Sequence, residues 1–236
     1  MSRRDTARTA LVALFITALV TAQLTASKVL AIPLPVSLGA VGSTVFLPGA
    51  ALAYALTFFA SDCYAELYGK RDAQVLVNVG FVMNFVLLAL VWSTILAPAA
   101  PTSVDPEQFA TVLGASTNIV VGSLVAYLVS QNWDVLVFDA LRERTGGKLL
   151  WLRNIGSTAT SQAIDTVLFV SIAFFVAPTV LGTGQALPTA VLVSLAVGQY
   201  LLKLLIALVD TPFVYAVVRF AGSNEGRETF NPWATE

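Results

Sequence analysis

Residues 73–97 read AQVLVNVGFVMNFVLLALVWSTILA, a run without Asp, Glu, Lys or Arg. It exceeds the roughly 20 residues that an α-helix needs to cross a hydrocarbon core. The run predicts a transmembrane helix, and five further stretches are also long and apolar enough, at residues 7–26, 44–60, 109–138, 155–177 and 187–218. The second can continue helically through Asp62 and Glu66 to Tyr68. Pro212 near the end of the sixth should bend it, because proline removes one backbone hydrogen bond. Arg3, Arg4 and Arg8 before the first stretch resemble a signal-peptide start. No convincing cleavage site follows, and Thr17, Thr21, Gln23 and Lys28 suit a retained helix.

Composition agrees with a membrane protein. Apolar residues make up 57% of the 236, charged residues 11%, and mean hydropathy is +0.80. Soluble domains carry about 25% charged residues. The chain has no His and a single cysteine, Cys63, which excludes an intrachain disulfide and argues against His- or Cys-based metal sites. Neither a cofactor nor a nucleic-acid partner is expected; the partners are the lipid bilayer and a small molecule.

The basic residues are distributed unevenly. Arg3, Arg4, Arg8, Lys70, Arg71, Arg142, Arg144, Lys148, Arg153, Arg219 and Arg227 fall on one side of the predicted spans, and only Lys28 on the other. By the positive-inside rule both termini and the loop 142–153 are cytoplasmic. The expected fold is therefore an all-α, multi-pass plasma-membrane protein. Residues 1–221 form one domain of six transmembrane helices, and residues 222–236 a polar tail. Between the first two helices, VLAIPLPVSLGAVG (residues 29–42) is too broken by Pro and Gly for a helix and too apolar for a solvated loop. It predicts a short hairpin tucked against the bundle.

Ionisable side chains in membrane helices are costly and usually face the bundle interior or a wet cavity. Asp62, Glu66, Asp134, Asp165, Lys203 and Asp210 are such residues. By helical rise, Asp62 and Asp134 lie about 12 Å in from the cytoplasmic charges, Asp210 about 14 Å and Asp165 about 16 Å. Four helices thus bring a carboxylate to one level. Polar residues share faces with them: Ser123, Tyr127 and Gln131 with Asp134; Asn154, Ser157 and Ser161 with Asp165, Gln162 alongside; Gln199 with Lys203 and Asp210. The candidate substrate-binding set is Asp62, Glu66, Tyr127, Gln131, Asp134, Asn154, Ser161, Gln162, Asp165, Lys203 and Asp210. Packing offers simpler roles for some. Glu66 can face the cytoplasm beside Lys70, and Lys203 can pair with Asp134 or Asp210. Asn118, off the polar stripe, can bond a neighbouring helix, and Ala18, Ala22 and Ala26 have the spacing of close helix contacts. The pattern Ser-Gln-x-x-Asp occurs twice, at 130–134 and 161–165, on consecutive helices.

Thr25-Ala26-Ser27-Lys28-Val29, Asp62-x-x-x-Glu66-x-Tyr68-Gly69 and Trp151-Leu152-Arg153-Asn154, with Ser157-Thr158, Ser161-Gln162 and Asp165-Thr166, resemble the queuosine precursor transporter family. The resemblance runs from about Leu11 to Arg219. It implies an importer, not an enzyme, for 7-deazaguanines such as queuine, preQ0 or preQ1, which are salvaged for modified tRNA bases. The alternative is a substrate-binding subunit of an energy-coupling-factor vitamin transporter, docking partner ATPases through Ala18–Ala26. Oligomeric state, a homo-oligomer included, is left open.

Overall fold

The computed structural model describes residues 3–33, 35, 43–146 and 149–222. The protein is an α-helical membrane protein. Its helices are α1 (Arg3–Thr25), α2 (Ala51–Tyr68), α3 (Lys70–Ile95), α4 (Pro106–Gly114), α5 (Ser116–Arg144), α6 (Leu150–Ser171), α7 (Ala177–Leu181) and α8 (Thr189–Gly222). Among the described residues, five helical segments are long and apolar enough to cross a membrane: Arg4–Thr25, Lys70–Ile95, Pro106–Arg144, Ile155–Leu181 and Thr189–Ile206. α2 has 18 residues, and Asp62 and Glu66 make it more polar than these five. The tail expected at residues 222–236 lies outside the described residues from 223 onward.

The segment between α1 and α2 is a hairpin, but it extends further than the sequence predicts. β1 (Val29–Pro33) pairs antiparallel with β2 (Thr44–Pro48), from Val29 opposite Pro48 to Pro33 opposite Thr44. Residues 44–48, expected to open the second helix, are therefore a strand, and α2 begins at Ala51. Val45 and Phe46 favour a strand, and once β1 offers a partner their backbone groups are satisfied without a helix. Glycines let the hairpin sit tightly against the helices. A Cβ at Gly198 of α8 would stand 2.6 Å from the Phe46 carbonyl oxygen, and one at Gly49 equally near that of Thr25.

Other boundaries have local causes. Asp105 caps α4 by accepting from the Gln108 N–H at 2.9 Å, with Pro106 at the first helical position. Gly69, at φ 90°, separates α2 from α3. The fifth predicted stretch is α6, then one π-turn at Ile172–Val176, then α7. The wide turn frees the Phe174 carbonyl, which accepts from the Leu187 N–H at 2.9 Å. It lies against Gly122 of α5, where a Cβ would meet that of Ala173 at 2.8 Å. α8 runs on through Pro212 to Gly222.

In lipid, helices associate through close packing of small residues rather than through exclusion of water. Ala18, Ala22 and Ala26 are buried, as their spacing predicts. Ala22 and Ala26 pack in one core cluster with Ala50, Ile119, Ala126, Phe169 and Leu195. A second cluster joins Leu11 and Phe15 to Ala60, Cys63, Tyr64 and Leu76. Polar contacts close the N-terminal end of α1 onto α2 and α3. Arg8 Nε donates to the Tyr64 hydroxyl at 2.9 Å, its guanidinium lies 3.4 Å from Asp72, and the Tyr68 hydroxyl donates to the Arg4 carbonyl at 2.7 Å.

Candidate functional site

A cavity of about 300 Å³ lies where α1, α2, α3, α5, α6 and α8 converge, bordered by Phe15 of one core cluster and Ala126 and Phe169 of the other. Each helix contributes along one face. From α2 come Tyr54, Thr57, Phe58 and Ser61, at the three- and four-residue steps of a helix. α5 contributes Ser123, Tyr127, Ser130 and Gln131, α6 Gln162, Asp165 and Phe169, and α8 Gln199 and Lys203.

The charged centre is one ion pair. Lys203 Nζ donates to Asp165 Oδ2 at 2.6 Å, and the Ser130 hydroxyl lies 3.3 Å from the other carboxylate oxygen. Both charged side chains are largely shielded, with 14% and 24% of their surfaces exposed. An unpaired charge there would be costly, and each group compensates the charge of the other. Around the pair stand three buried side-chain amides, Gln23, Asn84 and Gln199. Their carbonyl oxygens accept no hydrogen bond from the described residues. Buried polar groups without partners are rare in folded proteins. Aromatic rings supply the remaining walls. Tyr54 meets Phe169 edge to face at 6.3 Å, and Phe81 tilts against Tyr127 at 5.6 Å. The Tyr127 hydroxyl is fixed by accepting from Gln74 at 3.0 Å.

Of the residues singled out in the sequence, Tyr127, Gln131, Gln162, Asp165 and Lys203 line this cavity. Asp134 and Ser161 do not: they bond to each other at 3.1 Å on the adjoining α5–α6 contact. Asp62 and Glu66 are exposed and also stand outside it. Asp62 follows Ser61 on α2, and one residue turns a side chain about 100° from the lining face. Asn154 and Asp210 lie outside the residues whose side chains are described. Among the described residues, Lys203 takes Asp165 as its partner rather than Asp134. Asn118 bonds the turn after α7, accepting from Thr183 at 2.6 Å.

The sequence reading left Tyr54, Gln23, Asn84 and Gln199 out of the candidate set. The missed signal was available: an amide inside an apolar run, such as Asn84 within 73–97, carries a desolvation cost as a charge does. Among the described residues no group of three or more His, Cys, Asp or Glu side chains is arranged to hold a metal ion.

Comparison with known proteins follows the same lines. The profile of the family described as "Putative vitamin uptake transporter" matches residues 48–217. A relative from Bacillus subtilis (strain 168), named "Probable queuosine precursor transporter", is 33% identical over 173 residues, covering 73% of this chain and 72% of its own. One from Haemophilus influenzae with the same name is 28% identical over 132 residues, covering 52% of this chain and 50% of its own. No solved structure matches the chain.

Proposed function

Because this chain belongs to the queuosine precursor transporter family, we propose that it imports 7-deazaguanines such as preQ0, preQ1 or queuine, held in the cavity between Asp165, Lys203 and the three amides. The family is one of transporters, not enzymes. The observation that carries the reading is the cavity itself, which joins a carboxylate and an ammonium to unpaired amide oxygens between aromatic walls. A 7-deazaguanine presents N1–H and a 2-amino group as adjacent donors, with the O6 acceptor beside them. Asp165 is suited to accept from the two donors and Lys203 to donate to O6, while Gln131, Gln162 and the buried amides meet the other polar edges. The flat ring fits between Tyr54, Phe81, Tyr127 and Phe169. A volume of about 300 Å³ is at the small end for ligand pockets and suits a lone base.

In this reading residues 1–221 form one plasma-membrane domain of six spans, with α2 as the additional span and both termini cytoplasmic. The eleven-to-one distribution of basic residues supports that orientation. In a Cys63→Ser background, an impermeant thiol reagent applied to intact cells is expected to label Ser103→Cys and to spare Thr145→Cys. Labelling at 145 would reverse the topology. The alternative reading, docking of partner ATPases on Ala18–Ala26, is disfavoured because Ala18, Ala22 and Ala26 are buried within the chain itself.

Binding to the purified protein tests the recognition scheme. Bases that keep N1–H, the 2-amino group and O6 should raise its melting temperature. Adenine, which lacks that arrangement of donors and acceptor, should bind at least about tenfold more weakly. Equal stabilisation by adenine and preQ0 would refute the scheme.

A further inference from the structure

The two Ser-Gln-x-x-Asp motifs are joined to each other. The Ser130 hydroxyl lies 3.3 Å from Asp165, and the Ser161 hydroxyl donates to Asp134 at 3.1 Å. Four residues forward along α5 bring four residues back along α6, the register of an antiparallel pair. Both following glutamines, Gln131 and Gln162, line the cavity. α5 and α6 therefore form a small inverted repeat with two equivalent serine–carboxylate docks. Lys203 breaks the symmetry. It occupies the dock at Asp165, while Asp134 has no cationic partner among the described residues.

We infer that Asp134 is the second dock for Lys203, and that the ammonium, loosened from Asp165 as it turns to O6 of the bound base, passes to Asp134 in the later step that changes access. The inference rests on the carrier reading given above. Substrate donors that bond Asp165 compete with the ammonium, and an ammonium displaced inside a membrane protein needs another carboxylate. Ser161, which holds Asp134, is one helical turn from Asp165, about 6 Å along α6. The flexible stem of lysine is suited to swing over such a distance. Inverted repeats in carriers commonly serve alternating access, in which one repeat moves against the other around the bound substrate. Here that exchange would move the ammonium from Asp165 to Asp134. Asp134 thus acts in turnover, not in binding.

A ligand-free test separates this inference from the assignment of substrate. Melting temperatures are measured for Asp134→Asn, Asp165→Asn and the double variant, with Ser161→Ala as a control for the hydrogen bond. If Lys203 retreats to Asp134 when Asp165 is neutral, Asp134→Asn is nearly silent alone. It costs at least about 4 °C beyond additivity in the Asp165→Asn background. Additive losses would overturn the second dock, since a merely structural Asp134 costs the same in either background. The transport arm uses a 7-deazaguanine as probe. Asp134→Asn should bind within about twofold of wild type yet take up the base about tenfold or more slowly, and Asp134→Glu should restore most uptake. Wild-type uptake by Asp134→Asn, or parallel loss of binding and uptake, would likewise overturn it.

Discussion

Asp165→Asn is expected to lose affinity for a 7-deazaguanine by about tenfold or more while still inserting and folding. The substitution keeps the side chain's shape but replaces one acceptor oxygen with a donor, which then faces the ligand's own donors. Losing a charged partner to a buried hydrogen bond costs about 1.5–3 kcal/mol, enough for that fall in affinity. Stability falls too, because Lys203 loses a partner held at 2.6 Å. The two losses are separable. Adding Lys203→Met to Asp165→Asn removes the ammonium displaced from that pair, so the double variant should be at least as stable as Asp165→Asn without regaining affinity. Gln162→Ala, which removes a neutral lining group, should weaken binding less. Unchanged affinity in Asp165→Asn, with reduced melting temperature alone, would make Asp165 a packing residue.

Lys203→Met alone should be the most destabilising of these changes. Breaking a shielded ion pair by removing one partner typically costs about 3–5 kcal/mol, because the remaining charge loses its compensation. Among the described residues, the carboxylate left behind keeps only the Ser130 hydroxyl at 3.3 Å. Partial exposure of the pair to the cavity places the expected cost at the lower end, about 3 kcal/mol. Binding falls as well, since the donor assigned to O6 is gone. Denaturation of the purified variants in detergent, with ligand titrations on the same samples, gives both quantities. The single variant should be markedly less stable than Lys203→Met combined with Asp165→Asn. If the two are equally stable, the charges are not coupled in the way the geometry requires.

Much of the molecule was legible in the sequence because membrane helices announce themselves by length and by lack of charge. The run 73–97 carries that information without reference to any other residue, and α3 spans almost the same interval. Spacing within one helix was equally readable. Tyr127 and Gln131, and Gln162 and Asp165, reach the cavity together because helical steps put each pair on one side. Relations between helices were not readable in the same way. Asp134, Asp165 and Asp210 have similar depths by helical rise, so the partner of Lys203 depends on which helix stands opposite α8. Phase was the second limit. α2 turns Tyr54, Thr57, Phe58 and Ser61 to the cavity and leaves Asp62 and Glu66 outside, although all lie within four turns of one helix. Strand against helix was the third, because residues 44–48 pair with 29–33, a partner that the local pattern of 44–60 does not announce.

The most direct test of the account is uptake of a radiolabelled 7-deazaguanine by purified protein in liposomes. The account predicts entry above protein-free vesicles, suppressed by unlabelled bases that keep N1–H, the 2-amino group and O6, unaffected by adenine, and lost in Asp165→Asn. Entry no faster than through protein-free vesicles, or uptake by Asp165→Asn at the wild-type rate, would contradict it.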